Sequence, residues 1–249
     1  MKKPNFDIIV VISISLFLSN CSSEPITYSS KNQKAAEYNA QLGAEYLKQN
    51  RLKLAHEKLS KALQQNSKSV QVNHYYALLQ ERLGDMPLAK QHFQKALTMT
   101  QNNPELQNNY GSFLCKMGDY DKALSRFAQA IKDPLYKTPE FAYTNAGVCL
   151  KKSGKTQNYE EYFRKALQLK PQFDLALYQM ALLKWKQGNT AKAQAFLYRY
   201  NDIAKQTPKS LLLCKQIHDK LGEMVEANKC ISQLLNTFPN SEAASKLSQ

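Results

Sequence analysis

A chain of 249 residues with 43% apolar, 22% charged and 10% aromatic side chains can bury one or two ordinary cores and is too apolar to be intrinsically disordered. Eight glycines and nine prolines are fewer than average usage supplies, which disfavours turn-rich β-sandwiches and leaves room for long helices. The net charge of +14 raises nucleic acid or an anionic membrane as partners, and the five cysteines are an odd number.

Met1-Lys2-Lys3 is a basic start, Ile8 to Leu18 is a run of eleven largely apolar residues, and Leu18-Ser19-Asn20-Cys21 follows at once. A membrane-spanning helix needs about 20 apolar residues, so this run fits the hydrophobic segment of a signal peptide. The tetrapeptide resembles a bacterial lipobox, with Asn20 standing where Gly, Ala or Ser is customary. That resemblance implies removal of residues 1–20 and a diacylglyceryl thioether on Cys21; an ordinary secretory signal with a chance cysteine is the alternative. Ser22 and Ser23 do not resemble an Asp-containing inner-membrane retention signal, which points to the outer membrane. Two or three acyl chains anchor stably where one is marginal. Loss of the signal removes Lys2, Lys3 and Asp7, so the basicity belongs to the remainder. Residues 21–35, rich in Ser, Asn, Gln and Pro without a helical apolar period, read as lipid anchor and tether.

From Ala36 the chain repeats. Gly84, Gly118, Gly154, Gly188 and Gly222 are spaced by 34, 36, 34 and 34 residues, and Ala55, Ala89, Ala123, Ala193 and Ala227 keep the same beat, with Tyr159 filling the gap. Phe93, Phe127 and Phe163 lie four residues after three of those positions, and Ala62, Ala96, Ala130 and Ala166 lie seven after four of them. The pattern of small residue, helix, Gly turn, Ala-x3-Phe-x2-Ala and closing proline (Pro171, Pro239) resembles the tetratricopeptide repeat. It predicts an all-α solenoid of six helical hairpins at 36–69, 70–103, 104–137, 140–173, 174–207 and 208–241, with a C-terminal tail at 242–249. Each hairpin carries Gly or Ala at repeat position 8 and Ala at position 20, so its helices approach closely, and Gly at position 15 ends the first helix. One hairpin cannot bury its apolar faces alone, but stacked neighbours can. In repeat four, Gly147 is expected to make room for Tyr159; in repeat six, Lys215 at position 8 suggests a polar cap.

If lipid consumes Cys21, four cysteines remain for an oxidising compartment. Cys214 and Cys230 each lie eight residues from Gly222, at one level on two arms of a hairpin, which favours a bridge. Cys115 and Cys149, on consecutive first helices, are a reachable second pair; four buried free thiols are the alternative. Spacings of 34 and 16 residues on helices are no zinc signature, and no metal site is expected. There is no GxxxxGK[ST], HExxH, GxSxG or CxxC, and His56, His74, His92 and His218 scatter over different helices, so neither an enzyme, a small-molecule substrate nor a cofactor is expected.

Lys48, Arg82, Lys116, Lys152, Lys186 and Lys220 all fall at position 13. A cation there suits the C-terminal end of a helix dipole, or the row forms a groove that attracts an acidic peptide, with Lys116, Lys152 and Lys186 as its centre. Aromatic platforms do not interleave with this row, so nucleic acid is a poor partner. Phe141, Val148, Leu175, Tyr178, Leu182 and Trp185 occupy positions that either line such a groove or pack on the next helix.

A narrower resemblance lies in Asn108-Asn109-Tyr110-Gly111-Ser112-Phe113-Leu114-Cys115, in Asp133-Pro134-Leu135-Tyr136-Lys137-Thr138-Pro139, and in Asn145-Ala146-Gly147-Val148-Cys149. These are similar to the central repeats of the type IV pilus biogenesis/stability lipoproteins, the pilotins of the PilF/PilW kind. The resemblance implies a bridge between Cys115 and Cys149 and a lipoprotein on the periplasmic face of the outer membrane of a Gram-negative bacterium. It further implies binding to pilus secretin subunits, whose insertion and oligomerisation the lipoprotein assists. A scaffold of outer-membrane protein or envelope assembly without a pilus role is the alternative.

Overall fold

The structure is a computed structural model that describes residues 28–100, 102–154 and 158–247; the signal segment and Cys21 lie outside them. Among the described residues there are thirteen helices and no strand. Twelve form hairpins: α1 (Tyr28–Lys48) with α2 (Leu52–Gln65), α3 (Val70–Leu83) with α4 (Met86–Met99), α5 (Pro104–Lys116) with α6 (Tyr120–Lys132), α7 (Pro139–Lys152) with α8 (Tyr159–Leu169), α9 (Asp174–Lys186) with α10 (Thr190–Asn201), and α11 (Pro208–Leu221) with α12 (Met224–Thr237). A one-turn helix, α13 (Glu242–Ser245), follows. Each odd-numbered helix also touches the next odd-numbered helix, so the hairpins stack in register into a solenoid.

Local chemistry sets the boundaries. The side chains of Ser69, Asp85, Asn103 and Asn189 accept from backbone N–H groups three residues on, and Thr207 and Ser210 form a reciprocal capping box. The first helices end at residues with φ between +70° and +88°, namely Gly84, Gly118, Gly154, Gly188 and Gly222. Asn50, at φ +57°, takes this role in the first hairpin, where the glycine beat is missing. The residue after the left-handed position then donates back across the turn, as in Asp85 to the Gln80 carbonyl and Glu223 to the His218 carbonyl, both 2.9 Å.

The small residue at position 8 admits the large residue at position 24. A Cβ on Gly43 would lie 2.5 Å from Leu59 Cγ, one on Gly111 2.8 Å from Phe127 Cε1, and one on Gly147 2.6 Å from Phe163 Cε1. Gly147 therefore makes room for Phe163 and not for Tyr159. Tyr159 escapes crowding because it opens α8 and meets Phe163 edge-on at 6.2 Å.

Both ends differ from the sequence expectation. Helix α1 begins at Tyr28, inside the stretch read as tether, and the Gln33 amide donates to Glu37 one turn on. At the other end the stack closes on α13, whose Ala243 and Ala244 are buried with Leu211 and Leu234. Lys215 sits half-buried, 2.7 Å from Asp219, within α11.

Candidate functional site

The position-13 cations all fall in the last turns of the odd-numbered helices, where the helix dipole favours them. They are not equivalent. Lys48 lies 3.5 Å from Glu45, and Lys116 reaches across to Glu81 of the preceding hairpin at 3.3 Å. Lys152 and Lys186 are exposed and make no ion pair among the described residues. Burial pushes the neighbouring Lys151 ammonium down, and the charge of Lys186 adds to that effect. Arg82 and Lys220 are likewise exposed without an ion pair among the described residues, so the unneutralised positive charge lies at the ends of α3, α7, α9 and α11.

Of the six apolar candidates, five pack partly into the core. Phe141 meets Phe173 edge-on at 4.8 Å, and Val148 lies against the cluster of Phe163, Met180 and Leu183. Tyr178, Leu182 and Trp185 share the cluster of Leu177, Leu213 and Ile217, with Tyr178 5.6 Å from the ring of Tyr200. All five stay half-buried, whereas Leu175 is exposed. A concavity that the spacing of apolar residues did not reveal lies in the first three hairpins. It has a volume of about 270 Å³ and is lined by Leu47, Lys48, Tyr75, Glu81, Arg82 and Asn109 among others.

Models of the tetratricopeptide repeat match residues 41–104, 92–125 and 142–173. A comparison with curated proteins found no match. Among solved structures, PilF of Pseudomonas aeruginosa aligns with a TM-score of 0.74 at 26% identity over 88% of this chain and 98% of its own. PilW, described as a widely conserved type IV pilus biogenesis factor, aligns with a TM-score of 0.74 at 28% identity over 86% of this chain and 98% of its own. The chain is a tetratricopeptide-repeat protein similar to PilF and PilW. A tetratricopeptide protein from Parabacteroides merdae, 18% identical, with a TM-score of 0.65 over 90% of this chain and 84% of its own, shares the fold.

Within this solenoid, Cys115 on α5 and Cys149 on α7 are bonded with their Cα atoms 5.7 Å apart, which ties repeat three to repeat four. Cys214 and Cys230 are bonded across the hairpin of repeat six, Cα to Cα 6.1 Å. Both separations fall in the usual range for a bridge. Beside the second pair lies His218, so that Cys214, His218 and Cys230 gather buried at one point; the linear spacing of the cysteines gave no sign of this cluster.

Polar contacts between hairpins also went unseen in the sequence. Glu160 of α8 receives Lys184 of α9 at 2.7 Å and Arg164 at 2.6 Å. Burial opposes ionisation of Glu160, but the hydrogen bonds from Lys184 and Arg164 outweigh it and hold the carboxyl below its ordinary value. Asn145 of α7 donates to Asn108 of α5 at 3.0 Å, and Asn109 of α5 donates to His74 Nε2 of α3 at 2.9 Å. Such pairs align one hairpin on the next, which apolar packing alone does not specify. No helix among the described residues is long and apolar enough to cross a membrane.

Proposed function

We propose that this chain is a non-catalytic, pilotin-like lipoprotein of type IV pilus biogenesis. Lipid on Cys21 holds it on the periplasmic face of the outer membrane, and the solenoid binds subunits of the pilus secretin and promotes their localisation and multimer assembly. The observation that carries this reading is the likeness to PilF and PilW, which takes in 98% of each of those chains and therefore the whole stack, not one repeat.

The surface is suited to holding a protein segment. Half-buried Tyr178, Leu182 and Trp185 beside exposed Leu175 offer an apolar strip, and unpaired Lys152 and Lys186 flank it with positive charge. An amphipathic segment with acidic residues would bury its apolar side on the first and be steered by the second. The test is capture of the secretin subunit by the full chain followed by crosslink mapping. Crosslinks from α7 and α9 to one secretin segment are expected; capture of other envelope proteins with no secretin crosslink would favour a general assembly scaffold instead.

A further inference from the structure

Repeat six brings three metal-ligating side chains together from two helices. Cys214 and His218 lie four residues apart on α11 and so share one face, and Cys230 meets them from α12. Their ligand atoms all lie within 4.8 Å of one another, and all three residues are buried. The ring of His218 is held. Its Nδ1 is 2.5 Å from Glu223 Oε2, and Gln194 Nε2 donates to the same oxygen at 2.8 Å. That contact occupies one ring nitrogen and leaves Nε2 as the one able to take an ion. An imidazole oriented by an outer carboxylate is the usual support of a metal-ligating histidine. Two thiolates and an imidazole form a donor set suited to zinc.

We propose that the dithiol form of repeat six binds one zinc ion through Cys214, Cys230 and His218, so that the ion and the Cys214–Cys230 bond are alternative occupants of the same hairpin. The two states interconvert by balanced chemistry. A dithiol or phosphine reductant delivers two electrons to the sulfur–sulfur bond, which opens and takes up two protons to give two thiols. The dithiol reductant becomes its own disulfide, or the phosphine becomes its oxide with oxygen from water. Zinc then displaces both thiol protons, and the neutral imidazole supplies its free lone pair. The Cys115–Cys149 pair belongs to no such group of three among the described residues, which makes it an internal control.

The test uses the full chain carrying Cys21→Ser, reduced with a phosphine under anaerobic conditions and titrated with zinc against a chromophoric chelator. One equivalent is expected, kept when Cys115 and Cys149 are both changed to Ser, and absent in the oxidised chain. Glu223→Gln leaves every ligand in place and is expected to weaken binding roughly 10–100-fold. Cobalt in place of zinc is expected to give a thiolate charge-transfer absorption that Cys214→Ser abolishes. Circular dichroism of each variant separates a lost ligand from a lost fold. Failure of the reduced chain to take up zinc would overturn the proposal, as would uptake that is unchanged in both Cys214→Ser and Glu223→Gln.

Discussion

Asn109 of α5 donates its side-chain amide to Nε2 of His74 on α3 at 2.9 Å, which fixes the buried ring as a neutral acceptor. Burial moves the pKa of His74 down from 6.5 to about 4. The unfolded chain therefore binds a proton at His74 that the folded chain refuses. This contribution to stability is complete above pH 6.5 and is lost as the pH falls toward 4. Between pH 7.5 and pH 5 it amounts to about 2 kcal/mol. Urea unfolding at the two pH values should show that loss, and His74→Gln should remove that part of the pH dependence; an identical slope in the variant would contradict it.

Gly147→Ala puts a methyl 2.6 Å from Cε1 of the fully buried Phe163, so something in that core must shift. Overpacking of this kind costs about 1–3 kcal/mol, more than the gain in helix propensity from glycine to alanine. Phe163→Leu in the same chain should recover part of the loss. If the two changes add independently in thermal unfolding, the contact does not govern the approach of α7 and α8.

The bridge between Cys115 and Cys149 closes a separation of 34 residues. In the chain-entropy picture, changing both to Ala lowers stability by roughly 3–4 kcal/mol. Denaturant unfolding of the double variant measures it. Thiol titration of the denatured, unreduced wild-type protein should find none of the four internal cysteines free; four free thiols would remove the basis for the expected loss.

The regular features of the fold were legible in the sequence because each answers to a demand on one residue. Position 15 needs a left-handed backbone, which five repeats supply with glycine, and position 20 holds alanine in every repeat but the fourth, where Tyr159 opens its helix. Asn50 escaped notice because asparagine tolerates the left-handed region without announcing it. The partner of Gly147 is Phe163 and not Tyr159 for a different reason. Periodicity gives which residues share a helix face but not the level at which two helices touch, and that level proved to be Phe163, one turn beyond Tyr159. The contacts of Glu160 with Lys184 and of Asn109 with His74, and the approach of Cys230 to His218, join residues from different helices. In a linear reading such residues look like ordinary solvated side chains.

Leu175 and Trp185 separate recognition from packing. Leu175 is exposed, so Leu175→Asp should leave the melting temperature nearly unchanged while weakening capture of the secretin subunit. Trp185 packs on the cluster around Ile217, so Trp185→Ala should lower stability by about 2 kcal/mol or more as well as weaken capture. Reversing Lys152 and Lys186 to Glu should slow association in a salt-sensitive way with only tenths of a kcal/mol lost in folding. Unchanged association kinetics would assign both lysines to the helix ends alone.

The most direct measurement of the central claim is the amount of assembled secretin multimer in the outer membrane of cells that lack this protein, compared with cells that carry it. A pilotin-like role predicts that multimers disappear or are mislocalised on deletion, that the wild-type gene restores them, and that Cys21→Ser restores them poorly because the protein no longer sits on the membrane. Secretin multimers of normal amount and location in the deletion strain would contradict it.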